Sequence, residues 1–180
     1  MKIKIILISF FLISLPIKAD QNDYRLEGLF EELQIENDQN KYRMLINKIW
    51  DIWLEPTDLK TERYFIVALS LMKKYQYKQS ITFFSRIIDN NPDFAEAWNK
   101  RATVYYLIGD YEKSINDINQ TLILEPRHFG AMDGLGLILI ELKKYSYALN
   151  IYKEILKILP YSIEIKNKIQ MLEKITIENI

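Results

Sequence analysis

The chain has 180 residues, 49% of them hydrophobic and 27% charged, with as many basic as acidic side chains. That balance leaves no electrostatic footprint for nucleic acid or an anionic membrane, and it fits one soluble domain with a continuous core. The absence of cysteine excludes disulfides, cysteine-based zinc sites and acylation at an N-terminal cysteine, and five Gly with five Pro argue against a loop-rich or all-β fold.

Residues 1–19 stand apart. Lys2 and Lys4 form a basic start, residues 5–15 an apolar run, and Ile17-Lys18-Ala19 a cleavage site, although Ile17 is bulkier than the ideal residue there. This is the order of a secretory signal peptide, so cleavage after Ala19 and a periplasmic location are expected. An uncleaved anchor or a buried helix are the other readings. The apolar run is shorter than the roughly 20 residues that a spanning helix needs.

Residues 20–60 carry two helical patterns. Asp23 is placed to cap a helix bearing Tyr24, Leu26, Leu29, Phe30 and Leu33. A second, over about 40–54, bears Tyr42, Leu45, Ile46, Ile49, Trp50 and Trp53.

Beyond them the chain becomes periodic. Pro92, Pro126 and Pro160 stand 34 residues apart, twice over. Trp98, Tyr105, Tyr111, Ser114 and Ile118 have counterparts in Tyr64, Leu71, Tyr77, Ser80 and Phe84 upstream, and in Met132, Leu139, Tyr145, Ala148 and Tyr152 downstream. A fixed period of this size marks stacked units, each of two helices that cannot bury their apolar faces alone. In the middle unit Trp98, Ala102 and Tyr105 share one helical face, Ala102 is small where the second helix approaches, and Gly109 can take a positive φ to stop the first helix. Tyr111 opens the second helix and Pro126 ends it. Trp98 is expected to be buried between its own second helix and the preceding unit.

The units are read as 61–94, 95–128 and 129–162, with 20–60 as a degenerate first unit carrying Gln34 where a small residue belongs. The first unit has Tyr75-Gln76 and the third Lys143 in place of the turn glycine. Residues 162–177 form one more helix, with Ile165, Ile169, Leu172 and Ile175 on one face, reading as a solvating cap.

The pattern resembles the tetratricopeptide repeat, with its Trp, Leu-Gly, Tyr, Ala, Phe and Pro positions. The resemblance implies an all-α superhelical solenoid of antiparallel helix pairs with a C-terminal capping helix. It also implies a scaffold or adaptor that binds a peptide or helix in a concave groove, without a cofactor. Its lining would come from the first helix of each unit: Phe65, Leu69 and Met72, then Asn99, Thr103 and Tyr106, then Asp133, Leu137 and Ile140. Two readings of that face stand side by side, an open groove or a surface covered by curvature and the N-terminal helices. The family's carboxylate clamp is not matched, because its basic positions would fall on Phe65 and Gly130. The blocks Trp98–Tyr106 and Glu125–Ala131, with Gly134-Leu135-Gly136, are further similar to exported proteobacterial repeat proteins without assigned chemistry.

Nothing else in the chain suggests chemistry. His128 is the one histidine and has no second His or Cys to join, so it reads as a solvated or carbonyl-bonded turn residue. Gly130, Gly134 and Gly136 lack the strand and the spacing of a phosphate loop. Arg101 replaces an apolar residue, packing its stem while its guanidinium reaches solvent or an acid. A structural subunit of an envelope complex, or an enzyme with a site in the groove, are the rival functions.

Overall fold

The computed structural model describes residues 23–56 and 58–178, so the leader read over 1–19 lies outside the described residues. These form nine helices and no strand: α1 (Tyr24–Ile35), α2 (Gln39–Trp53), α3 (Leu59–Lys73), α4 (Tyr77–Asn90), α5 (Ala95–Leu107), α6 (Tyr111–Leu124), α7 (Phe129–Glu141), α8 (Tyr145–Ile158) and α9 (Ile163–Glu178). Aspartates start the first three. Asp23, Asp38 and Asp58 each accept from backbone N–H groups of the first turn, satisfying donors that a helix cannot satisfy itself.

The turns after α3, α5 and α7 are one device used three times. Gln76, Asp110 and Lys144 donate their backbone N–H to the carbonyls of Leu71, Tyr105 and Leu139 at 2.9, 2.9 and 2.8 Å. Tyr75, Gly109 and Lys143 donate to Met72, Tyr106 and Ile140 at 3.0, 2.9 and 2.8 Å. This pair of bonds closes a helix only if the second residue is left-handed, and φ there is 60°, 78° and 56°. Only the middle turn has glycine.

Within each pair the helices touch at the small residue. Ser80 Oγ donates to the Ala68 carbonyl at 2.9 Å, and Ser114 Oγ to the Ala102 carbonyl at 2.8 Å. In the last pair Gly136 faces the Tyr152 ring, and a Cβ on it would stand 2.7 Å from Tyr152 Cζ. Residue size alternates here across the contact: Ala meets Phe84 or Ile118, and Gly meets the larger Tyr152.

From α3 to α9 each helix packs on its successor, with α5 also against α7. The first core joins Phe65, Phe84, Ile87, Phe94 and Val104, and the second joins Ala102, Ile118, Leu122, Ala131 and Ile138. Burying each large apolar side chain contributes about 1.5–3 kcal/mol. Ile165, Ile169 and Leu172 of α9 are buried on the last pair, so this helix covers the end of the stack.

The first pair departs from the expected order. Rather than stacking in front of α3, α1 packs on α8. Leu26, Phe30, Leu33, Tyr42, Leu45, Ile49 and Trp53 share one core with Phe129, Tyr152, Ile155, Leu159 and Leu172. Gln34, out of place in a repeat frame, has a role here. Its amide donates to the carbonyls of Lys157 and Ile158 at 3.3 and 3.0 Å, closing the end of α8. Gln39 does the same for the Tyr161 carbonyl at 3.2 Å. Trp98 is also not where expected. It is half-buried at the edge of the first core, its indole N–H donating to the Pro92 carbonyl at 2.8 Å.

Candidate functional site

The nine residues expected to line a groove do not form one continuous free surface. Phe65 is buried, its ring 5.8 Å from Phe84 and 5.3 Å from Phe94, and so belongs to the core. Asn99 is buried too, its amide donating to Glu96 Oε2 at 2.9 Å. Both therefore leave the candidate lining.

The other seven are half-buried. Leu69 and Met72 lean on the first core, and Ile140 on the last. Thr103 spends its hydroxyl on the Asn99 carbonyl at 3.0 Å. Tyr106 stacks on Tyr111 at 5.8 Å, and burial, with Glu141 nearby, raises its phenol above the usual range. Asp133 accepts from Lys168 of α9 at 2.6 Å, and Lys168 also meets Glu164 at 2.9 Å. An ion pair from the cap thus holds the one acid of the lining.

At the N-terminal ends of α5 and α7 the same face is closed by α2. Trp50 lies 5.5 Å from Phe129 and 5.4 Å from His128, and the Lys100 ammonium stands 5.1 Å from its ring. A Cβ at Gly130 would stand 2.4 Å from Trp50 Cη2, so only glycine admits the indole. Trp53 stacks flat on His128, 4.2 Å between centroids and 11° between planes.

Beneath the two indoles lies a cluster that residue-by-residue reading missed. Glu96 and His128 are both 0% exposed, and His128 Nε2 meets Glu96 Oε2 at 2.9 Å. His128 Nδ1 accepts from the Ala131 N–H at 3.1 Å, so the ring caps α7 with Nδ1 and donates from Nε2. Lys100 Nζ stands 2.8 Å from Glu96 Oε1. Burial pushes the Glu96 carboxyl up, but the His128 hydrogen bond and the Lys100 charge outweigh it and hold it below the usual glutamate range. His128 is thus neither solvated nor bonded to a carbonyl. Its sequence signal was indirect: Glu96 and His128 open the first helices of neighbouring units, and two such openings are adjacent in a stack.

A second pair, half-buried at the arginine and buried at the acid, ties α5 to α6. Arg101 donates to both Asp117 oxygens at 2.7 and 2.8 Å, and to Ser85 Oγ at 2.8 Å. The acid, not solvent, receives the guanidinium. Among the described residues there is no group of three or more His, Asp or Glu able to hold a metal ion, and no helix long and apolar enough to cross a membrane.

The fold defines a class: a solenoid of antiparallel helix pairs with a repeat of 34 residues. A family model, Tetratricopeptide repeat, matches residues 83–116, from the middle of α4 through α5 into α6. A TPR repeat-containing protein of Rhizobium etli is 31% identical over 148 residues, covering 82% of this chain and 72% of the relative. The chain belongs to the tetratricopeptide repeat family. Among solved structures, the first TPR of Spaghetti (RPAP3) bound to HSP90 peptide SRMEEVD superposes with a TM-score of 0.60 at 19% identity, covering 65% of this chain and 95% of that one. The yeast Sti1 TPR2B domain in complex with an Hsp70 peptide gives 0.59 at 17%, covering 65% and 98%.

Proposed function

We propose that this protein is an exported interaction adaptor that holds an apolar segment of a protein partner against the first helices of its repeats. The observation that carries the reading is the surviving lining. Leu69, Met72, Tyr106, Leu137 and Ile140 are half-buried and apolar or aromatic, with Thr103 and Asp133 already engaged. Such side chains gain from being covered by a partner. The peptide-bound neighbours support a peptide or helix as the class of occupant. A terminal carboxylate is not the handle here. Phe65 is core and Gly130 lies under Trp50, so neither position offers a basic group. No catalytic step is assigned: the one buried acid–histidine contact is sealed at 0% exposure.

Changing Tyr106→Ala together with Leu137→Ser tests the lining. Helix content and thermal midpoint should stay near those of the parent, while capture of the partner from an envelope fraction falls at least tenfold, as expected for an aromatic anchor. Unfolding of the double variant would assign these side chains to the core, and undiminished capture would move the binding surface elsewhere. Export is part of the same proposal, resting on Lys2, Lys4, the apolar run and Ala19. An intact mass from the native host that begins at Asp20 supports it, and a soluble cytoplasmic form retaining Met1 overturns it.

A further inference from the structure

Among the described residues no helix precedes α3 in the stack, and α1, docked on α8 instead, carries a matching face. In the later units the face turned to the preceding pair is apolar and closed. Ala97 and Val104 of α5 lie in the first core, and Ala131 and Ile138 of α7 in the second. The corresponding positions of α3 are Arg63 and Ser70. Around them α3 exposes Leu59 at 71% and Ile66 at 59%, with Val67 beside them. The later units carry Asp93 and Arg127, then Lys100 and Gly134, at the places of Leu59 and Ile66. In those units these positions are themselves covered, Lys100 by Trp50 and Arg127 by Phe30, so exposed apolar residues here point to something that covers them.

On α1 the residues diametrically opposite the core are Tyr24, Gly28, Glu31 and Ile35, spaced four, three and four apart. Tyr24 is 87% and Ile35 78% exposed. Gly28 is unexplained by the fold. Among the described residues nothing lies within 4 Å of a Cβ placed there, so none of them requires glycine in mid-helix, where it weakens the helix. An approaching backbone from outside would require it.

On α3 the outward residues Leu59, Arg63, Ile66 and Ser70 have the same spacing. Laid antiparallel, the two stripes fall into register over about 16 Å. Ile35 meets Leu59, Glu31 meets Arg63, Gly28 receives Ile66, and Tyr24 lies over Ser70. Small faces large and acid faces base. The surroundings agree in sign: Glu32 flanks the first stripe, while Lys73 and Lys74 flank the second, against one acid, Glu62. Glu31, Glu32, Arg63, Lys73 and Lys74 take part in no ion pair among the described residues. Within one chain α1 is engaged with α8, so this match can be made only between molecules.

We infer that α3 of one copy is covered by α1 of a second copy, antiparallel, so that self-association supplies the stacking neighbour the first unit lacks. Since the two stripes differ, each contact is between unlike surfaces, and the rotation it imposes sets whether the assembly closes. The test is mass in solution by light scattering on the full chain, in the processed form the host leaves, over a wide range of concentration. The parent should exceed the mass of one chain. Arg63→Glu should weaken association at least tenfold, and adding Glu31→Arg should restore it, since the pair is re-formed with reversed sign. Gly28→Leu should keep or raise helix content yet abolish association, by filling the seat of Ile66. A parent that is monomeric throughout overturns the inference, whether its stripe is then covered by the chain's own leader, by another protein or by water. So does association indifferent to the charge reversals.

Discussion

At the level of single residues the repeat is most demanding where it turns. Tyr75 and Lys143 take the left-handed conformation that Gly109 takes freely, because both backbone bonds of the turn depend on it. A side chain there costs about 1–2 kcal/mol, partly offset by the greater unfolded freedom of glycine. Lys143→Gly should therefore stabilise the protein by about 1 kcal/mol, read as a rise in thermal midpoint. This strain was legible in the sequence only through the 34-residue spacing; nothing about Lys143 alone announces it. The Glu96–His128 contact was legible only as two adjacent helix openings, since sequence records neither which side chains meet there nor which ring nitrogen carries the proton. It has a pH consequence. The folded carboxyl of Glu96 is held below its ordinary range, so the unfolded chain binds the proton more readily. Its contribution is complete above about pH 4.3 and is lost as pH falls further. Glu96→Gln should flatten the acid limb of a plot of urea midpoint against pH; an equally steep limb would show that other carboxylates set it.

For the elements, existence was readable and neighbourhood was not. The 3.6-residue pattern, with Asp23 as a cap for the first, defines α1 and α2 from sequence because it is local. Which surface their apolar faces cover is not local. Trp50 and Trp53 would be apolar whether the pair stacked in front of α3 or folded back on α7 and α8. Gln34 was the residue that disagreed with simple stacking, and its bonds to the end of α8 explain it. Trp53 anchors this docking, being buried against His128 and Phe129. Trp53→Ala should cost about 3–5 kcal/mol in denaturant unfolding. It should also loosen α2 enough for protease to cut at its C-terminal end, around Leu54 and Glu55, under native conditions. A variant as resistant as the parent would mean that the remaining contacts of α1 and α2 hold the pair without it.

For the whole molecule, the solenoid from α3 to α9 was legible because one period governs proline, turn and small residue alike. The candidate lining was less so: its nine positions follow from a family resemblance, and Phe65 and Asn99 turned inward where Phe94 and Glu96 offered partners. An open stack of repeats melts from its ends, each unit answering only to its neighbours. Here the Gln34 amide is bonded to a carbonyl 124 residues further along the chain. The ribosome therefore finishes the first two helices long before the surface that receives them exists, and they must wait with Trp50 and Trp53 uncovered. Closing so long a loop belongs to the slow end of folding, where helical proteins are otherwise fast. What the closure gives in return is a last repeat tied to α1 and α2 through one shared core, so that these segments are lost together.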